Sequence, residues 1–557
     1  MIIGYKGAAM KLFLTSLFTL GLMFSMLFVI AAAAFFAIGG FDIFGVLGPL
    51  ILILLTVFWF VLMWLVGPFI NDIIYSWFYK IRWITTTELE SMKAGSGKFI
   101  EELARKNNFK TPKLGFIEDG NPTAFTYGSG PWNARIVISR GIVNLLDENE
   151  TKAVIAHETG HIVHLDFIVM TIAALIVSLL YELYYILARS SRKSSGGKKG
   201  GGYLIIIGLV SFVFYIIASY LLLFLSRTRE YYADEFAAEN AGANNLSTAL
   251  IKIAYGIATV PDSESTTRLL ESTRAQGISD FKVAKSFGLN YMDYRLNKNY
   301  ESTKMAMVFD MKSPWAFLLE LSSTHPLTGK RIVRLSEQAK EQNEQNMFNI
   351  DEVKNYPVDN GRLYTNFFVD VLIGSNIIVW PFALFLLVAG FLLNSLFLGI
   401  GLAVLSFGIM GFVHTLYRYP SGFKQSQIRD CMADIYASPV RGKPVALNGV
   451  ILGRGVAGAY FGEDMVIADR TGLVYLDFES LIPIIGNLFF AVSKVEKIIG
   501  QNVSATGWFF RGLGQKVVLD RMKNGEEVVS RQKLLGFIWA GIITVVGIAV
   551  VFVGIVL

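Results

Sequence analysis

Seven long apolar runs alternate with polar stretches along this chain of 557 residues. A helix crosses a bilayer with about 20 predominantly apolar residues, and each run is long enough to do so. The pattern therefore predicts a polytopic α-helical membrane protein. The predicted spans lie at 12–38, 44–70, 165–188, 203–225, 368–391, 394–415 and 535–557.

Three polar stretches, 71–164, 226–366 and 420–534, separate these spans. The first begins with an amphipathic helical pattern and continues with extended runs, two of which flank Gly128-Ser129-Gly130-Pro131, a turn composition typical of a hairpin. The third contains short alternating runs and predicts a small β domain. The predicted division is a transmembrane hairpin at 1–70, a domain at 71–366 interrupted by the apolar segments 165–188 and 203–225, a second hairpin at 367–417, a membrane-adjacent β-rich domain at 420–534 and a final helix at 535–557.

Composition agrees with a membrane protein, because 53% of the residues are hydrophobic and only 17% are charged. The formal net charge of +6 is modest, and basic residues flanking apolar spans account for it without a nucleic-acid partner. Cys431 is the only cysteine, which excludes an intrachain disulfide and a thiolate metal cluster.

Lysine and arginine near the span ends predict orientation, because cytoplasmic loops carry more of them. Most of these residues fall on the side of the three polar stretches, which places those stretches in the cytoplasm of what we expect to be a prokaryotic cell. The basic, glycine-rich loop 189–202 falls on the opposite side. Either this loop is an exception, or the segments at 165–188 and 203–225 dip into the bilayer without fully crossing it.

The chain has only five histidines, and three of them lie within AVIAHETGHIVHLDF, residues 153–167. His157, Glu158 and His161 form an H-E-x-x-H pattern, which on a helix brings two imidazoles to one face with the glutamate beside them. Asp147 and Glu150 form a capping-box-like start for that helix. The pattern predicts a metal site, and chance placement of helix-surface histidines is the alternative.

A catalytic zinc site needs a third protein ligand and an open fourth position. SRTREYYADEFAAENAG, residues 226–242, offers Glu230 and, four residues later on the same helical face, Asp234. A glutamate ligand would complete a two-histidine, one-carboxylate set, and Asp234 could then hold the tautomer of a ligating histidine. A solvated Glu230 paired with Arg227 or Arg229 is the alternative.

The motifs at 156–166, 226–242 and STHPLTGKRIVRL, 323–335, resemble, in that order, those of the HtpX-like integral-membrane zinc endopeptidases, relatives of the CAAX prenyl proteases. The resemblance covers roughly residues 10–340 and implies a cytoplasmic zincin-type α+β metallopeptidase domain. It implies one Zn²⁺ per chain, with His157, His161 and Glu230 as ligands and Asp234 as their support.

The same resemblance implies Glu158 as general base, with His325, and Arg331 in addition, stabilising the oxyanion. His164 and Asp166 also match the family's first motif, and we interpret both as residues at the boundary between helix and membrane.

The family usually shows Asn-Ala-Phe-Ala-x-Gly on a strand that pairs with the substrate. Here Thr123 replaces the asparagine, followed by Ala124, Phe125 and Thr126. Contacts of substrate with the side chain at 123 are therefore in doubt, whereas pairing with the strand needs mainly backbone groups.

Residues 437–455 and 502–512 resemble, over a shorter length, the membrane-adjacent β domain of GIDE-type proteins. The aromatic run Trp508-Phe509-Phe510 there is compatible with interfacial anchoring or with core packing. Partner or oligomer contacts through 420–534 are a further hypothesis.

The expected function is a zinc-dependent endopeptidase that cleaves membrane or membrane-proximal proteins in quality control, with the lipid bilayer as its other partner. A CAAX-type processing protease and a non-catalytic membrane scaffold are the alternatives.

Overall fold

The computed structural model describes residues 12, 15–16, 18–31, 47–193, 201–259, 301–344, 348–455, 462–512 and 515–556. Residues 32–46, which include parts of the first two predicted spans, and residues 194–200 of the basic loop lie outside the described residues. Helices account for most of the described chain. They are α1 (Phe18–Ala31), α2 (Leu47–Phe78), α3 (Thr86–Met92), α4 (Ser96–Lys106), α5 (Arg140–Leu145), α6 (Glu148–Val163), α7 (Asp166–Lys193), α8 (Gly201–Ala241), α9 (Ala243–Thr259), α10 (Glu301–Lys312), α11 (Pro314–Leu321), α12 (Thr328–Glu341), α13 (Ile350–Lys354), α14 (Asn360–Gly374), α15 (Val379–Leu392), α16 (Leu396–Arg418), α17 (Ile428–Met432), α18 (Ile485–Phe490), α19 (Glu496–Ile498) and α20 (Gln532–Val556).

Two sets of strands accompany these helices. They are β1 (Arg82–Ile84), β2 (Lys113–Ile117), β3 (Ala124–Tyr127), β4 (Arg135–Ser139), β5 (Lys424–Gln425), β6 (Lys443–Arg454), β7 (Met465–Ala468), β8 (Leu473–Asp477), β9 (Asn502–Arg511), β10 (Gln515–Asn524) and β11 (Glu526–Val529).

Six helical segments of the described residues are long and apolar enough to cross a membrane: Phe60–Phe78, Asp166–Tyr185, Ile205–Ala241, Asn360–Leu392, Leu396–Arg418 and Gln532–Val556. They correspond to the last six predicted spans, and they confirm a polytopic membrane protein. The first predicted span is described only as the shorter apolar helix α1. Helix α2 extends to Phe78, eight residues beyond the predicted end, because no breaker follows Pro68.

The chain divides into two compact units. Of the described residues, the first unit holds those up to Gly256 together with 320–344, and the second holds 257–259, 301–319 and 348–556. The first unit thus contains the sheet β1–β4 and the helices α6 and α8 that carry the sequence motifs.

The sheet of the first unit has the order β1-β2-β4-β3. The predicted hairpin is present, since β3 and β4 pair antiparallel with Phe125 opposite Val137. Strand β2 pairs parallel with β4, and β1 pairs antiparallel with β2. Strand β3 therefore lies at an edge of this sheet, because β4 is the one strand that pairs with it among the described residues.

The second unit contains the predicted β domain as a closed five-stranded barrel. Strand β6 pairs with both β7 and β9, β7 pairs with β8, and β10 joins β8 to β9. Trp508, Phe509 and Phe510 are at most 2% exposed, and the Trp508 indole donates to the Pro420 carbonyl at 2.6 Å. Of the two interpretations of this aromatic run, core packing is the one that the structure supports.

Candidate metal centre

Helix α6 begins as the sequence predicts. The Asp147 side chain accepts a hydrogen bond from the Glu150 backbone, and the Glu150 side chain accepts one from the Asp147 backbone. This capping box fixes the first turn, and the helix then runs without interruption through His157 and His161. The two imidazoles consequently project from one face.

Helix α8 passes close to α6 at Gly160. A Cβ at this position would lie 3.0 Å from the Cα of Ala233. The glycine inside the H-E-x-x-H motif therefore lets the two helices approach closely. This approach brings Glu230 and Asp234, on either side of Ala233, to the two histidines.

Donor atoms of His157, His161 and Glu230 converge to within 4.8 Å of one another. The two Nε2 atoms are 3.2 Å apart, His157 Nε2 is 3.4 Å from Glu230 Oε2, and His161 Nε2 is 3.5 Å from Glu230 Oε1. Ligands held at 2.0–2.1 Å in a tetrahedron around zinc lie about 3.4 Å from one another. All three separations agree with that value, and the three residues therefore fit a divalent ion.

Each histidine has a carboxylate behind it. His157 Nδ1 lies 3.0 Å from Oδ1 of Asp234, the residue expected from the sequence to support a histidine. His161 Nδ1 donates to Asp166 Oδ2 at 2.6 Å. Both contacts direct Nε2 of the ring towards Glu230.

Asp166, interpreted from the sequence as a residue at the boundary between helix and membrane, lies directly behind His161 at this candidate centre. It is 6% exposed and also pairs with Arg229, whose Nε donates to Asp166 Oδ1 at 2.5 Å. The guanidinium is anchored further by Ser16 Oγ at 2.8 Å and the His164 carbonyl at 2.5 Å. The sequence leaves Arg229 as an alternative partner of Glu230. In the structure, Arg229 instead pairs with Asp166, the carboxylate behind His161.

Arg331 supports the other histidine through Asp234. Its Nε donates to Asp234 Oδ2 at 2.8 Å and its Nη2 to Asp234 Oδ1 at 2.6 Å. Its Nη1 lies 3.6 Å from Glu230 Oε2. Two of its three nitrogens are therefore engaged with Asp234, and Nη1 is the atom that faces the centre.

Glu158 lies beside the three donors and is fully buried. Its Oε2 accepts a hydrogen bond from Thr126 Oγ1 at 2.6 Å, and among the described residues its Oε1 has no hydrogen-bond partner. Burial raises the pKa of Glu158, against the opposing effect of His157 and His161. A carboxylate with one oxygen held and the other unsatisfied is suited to accept a proton.

His325 reaches the same centre from the loop before α12. Its Nε2 lies 3.5 Å from Glu230 Oε1, its Nδ1 is 2.9 Å from Thr324 Oγ1, and it is 2% exposed. His164 lies apart from this cluster: its backbone carbonyl contacts Arg229, its ring packs against Phe236, and burial lowers its pKa to about 4. His164 is therefore no candidate ligand.

The predicted substrate strand coincides with β3 and the residue before it. Thr123 bonds Ser139 through its backbone, Phe125 packs on Tyr75 in the core, and Thr126 reaches Glu158. The strand thus lies next to the candidate centre, and the edge opposite β4 has no strand partner among the described residues.

Comparisons with known proteins match the part of the chain that contains these residues. Residues 96–339 match peptidase family M48. The chain is 30% identical over 254 residues to a protease HtpX homolog of Methanothermobacter thermautotrophicus, covering 45% of this chain and 87% of that protein. It is 31% identical over 291 residues to a protease HtpX homolog of Thermoplasma acidophilum, covering 51% and 85%. It is also 31% identical over 250 residues to one of Aquifex aeolicus, covering 44% and 71%.

Among solved structures, the chain is similar to the crystal structure of S. mikatae Ste24p, with a TM-score of 0.34 and 20% identity, covering 58% of this chain and 67% of that one. The matched family region ends at residue 339, before the β barrel of the second unit begins.

Proposed function

The chain belongs to peptidase family M48, among the protease HtpX homologues, and from this premise we propose that it is a zinc-dependent endopeptidase with His157, His161 and Glu230 as ligands. It is an integral membrane protease, and its family is metal-dependent. The observation that carries the proposal is the separation of the three donor pairs, 3.2, 3.4 and 3.5 Å, which suits one tetrahedral zinc ion.

Zinc, when bound, supplies Lewis acidity, which lowers the pKa of water towards about 7 and polarises a carbonyl. Glu158 acts as general base and takes the proton of the attacking water on Oε1, the oxygen that has no hydrogen-bond partner among the described residues. It then returns this proton to the leaving amine. Thr126 holds Oε2 and keeps the carboxylate in the orientation that this transfer needs.

His325 donates through Nε2 to the oxyanion that develops on the scissile carbonyl. Its Nδ1 contact with Thr324 fixes the ring, and its Nε2 already lies near Glu230. A single donor of this kind contributes about 2.7–4 kcal/mol to the transition state in enzymes where it has been removed. Arg331 contributes Nη1 to the same region, while Nε and Nη2 hold Asp234.

The substrate backbone pairs with the free edge of β3. The Ser139 backbone donates to the Thr123 carbonyl at 3.0 Å, so these two residues form a hydrogen-bonded pair. Such pairs alternate with non-hydrogen-bonded ones along an antiparallel ladder. The main-chain groups of Ala124 and Thr126 therefore face away from β4 and are available to an extended peptide.

The site works at the membrane surface, on its cytoplasmic side. Asp166 is the first residue of the membrane-spanning helix α7, and it contacts His161 directly. A peptide bond cleaved here lies close to the plane at which α7 meets the bilayer. We therefore assign membrane and membrane-proximal proteins of a prokaryotic cell as substrates, and quality control as the role.

The test compares Glu158→Gln with Glu148→Gln, a change of an exposed glutamate in the first turn of the same helix. We expect Glu158→Gln to retain one zinc ion per chain and to lose cleavage of a reconstituted membrane substrate, while Glu148→Gln keeps both. Proteomics of cells carrying the two variants then identifies which membrane proteins accumulate. Undiminished cleavage by Glu158→Gln would show that this glutamate is not the base.

A further inference from the structure

The β barrel carries an unusually apolar connection between β8 and β9. Residues 480–493, SLIPIIGNLFFAVS, contain no charged side chain. Seven of the side chains in 481–492 are large, apolar and between 44% and 82% exposed: Leu481, Ile482, Ile484, Ile485, Leu488, Phe489 and Val492. Water-exposed surfaces rarely show so many neighbouring apolar side chains without a partner.

The same segment also has a buried side that packs on the barrel. The exposure of its apolar side chains is therefore not a consequence of loose packing. Phe490 stacks on Phe478 with ring centroids 3.8 Å apart, and Ala491 and Val495 are fully buried. Asn487 accepts from the Ser480 backbone at 2.8 Å and donates to Glu479 at 2.9 Å. The segment is therefore fixed to the barrel, and its second apolar face points outwards.

The position of this segment indicates what covers that face. The carbonyl of Glu479 accepts from the backbone of Arg531 at 2.7 Å, and the Glu479 backbone donates to Ser530 Oγ at 3.1 Å. Arg531 immediately precedes α20, a membrane-spanning helix. The apolar segment thus leaves the barrel at the point where the chain meets the bilayer.

Charge along the segment agrees with this position. Lys494 and Lys497 follow the apolar face within two helical turns, with the exposed Glu496 between them, and Lys494 Nζ lies 3.5 Å from Glu526 Oε2. Lysines at the rim of an apolar membrane-facing surface place their ammonium groups at the headgroup level.

We propose that residues 481–492 insert their apolar face into the lipid bilayer beside α20 and act as an interfacial anchor of the β barrel. The barrel is then held at the membrane at three places: the end of α16, the start of α20 and this segment. Its orientation relative to the bilayer is fixed as a result.

The test places a single environment-sensitive fluorophore on the full-length chain. Phe489→Cys and Ile485→Cys, both on the apolar face, are labelled with a nitrobenzoxadiazole dye, and Arg470→Cys is the matched control. Arg470 is exposed in the β7–β8 turn, and the five residues of β8 separate it from Glu479 by about 16 Å along the strand. The native Cys431 does not compete for the dye, because it is 1% exposed and burial raises the pKa of its thiol to about 12.

Each protein is reconstituted at one chain per phospholipid nanodisc, and its melting temperature is compared with that of the parent. Doxyl-labelled lipid should quench the dye at 489 and 485 several-fold more than at 470, whereas aqueous iodide should show the opposite order. Quenching by iodide at 489 and 485 would overturn the proposal. Shielding of both positions from both quenchers would also overturn it, because the face would then be covered by protein.

Discussion

Replacing Asp166 with asparagine tests whether the contact to His161 supports the metal centre. Asparagine keeps the size of the side chain and removes its charge. In the parent chain, the Asp166 carboxylate accepts from His161 at 2.6 Å and from Arg229 at 2.5 Å, and all three side chains are largely buried. The change therefore acts on ring orientation, on ligand basicity and on a buried ion pair together.

The expected loss follows from these contacts. Removal of a carboxylate behind a metal-binding histidine lowers metal affinity by about 10- to 100-fold, which corresponds to about 1.4–2.7 kcal/mol. Loss of one partner from a buried ion pair destabilises a protein by about 3–5 kcal/mol. Arg229 keeps its contacts with Ser16 and the His164 carbonyl, so we expect the loss of folding stability to fall at the lower end of that range.

The measurement is chelator competition for zinc in detergent solution, together with thermal melting of the metal-free protein. Asp234→Asn, which removes the corresponding support of His157, should weaken zinc binding to a similar degree. Glu148→Gln on the exposed side of α6 should leave the affinity unchanged. Parental zinc affinity in a folded Asp166→Asn protein would refute the supporting role, since the charge behind His161 would then have no effect on the ligand.

Further predictions concern the base, the protons and the third ligand. Thr126→Val removes the hydrogen bond to the Glu158 carboxylate. A hydrogen bond with one charged partner is worth about 1.5–3 kcal/mol, so kcat should fall about 10- to 100-fold without loss of zinc. Thr126→Ser, which keeps the hydroxyl, should restore kcat. Burial alone lowers the pKa of His157, but its contacts with Asp234 and Glu230 have the larger, opposite effect. The pKa is therefore raised to about 9 in the metal-free protein. Zinc must then displace a proton at neutral pH, so zinc affinity should rise with pH up to about 9, and calorimetry in two buffers of different ionisation enthalpy should detect the released proton. In the parent, zinc at 100 times its Kd should stabilise the fold by about 2.7 kcal/mol, and Glu230→Gln should abolish most of the corresponding rise in Tm.

Helix geometry predicts from the sequence which side chains share a face, whereas the meeting of the two pairs at one ion is what the resemblance of the motifs implies. His157 and His161 are one turn apart on an uninterrupted helix, and Glu230 and Asp234 repeat that spacing on another. The edge position of β3 requires the tertiary structure, because no local pattern shows which strand has a free side.

The contact between Asp166 and His161 depends on a local break in the helix that the sequence does not indicate. Helix α6 ends at Val163, and Leu165 adopts a positive φ of 59° before α7 begins. A left-handed conformation at a residue other than glycine costs about 1–2 kcal/mol, and leucine gives no sign of it in the sequence. A continuous helix would carry Asp166 past His161, whereas the break at Leu165 turns its carboxylate back to the ring.

That break also connects the metal centre to the membrane. The two carboxylates behind the histidines differ in their own partners. Arg331, which holds Asp234, belongs to the amphipathic helix α12, whereas Arg229, which holds Asp166, lies on α8 and also bonds Ser16, within the first predicted apolar segment. His161 is thus oriented through Asp166 on α7, Arg229 on α8 and Ser16, and His157 through Asp234 on α8 and Arg331 on α12. The break at Leu165 therefore places the support of His161 at the first residue of a membrane-spanning helix.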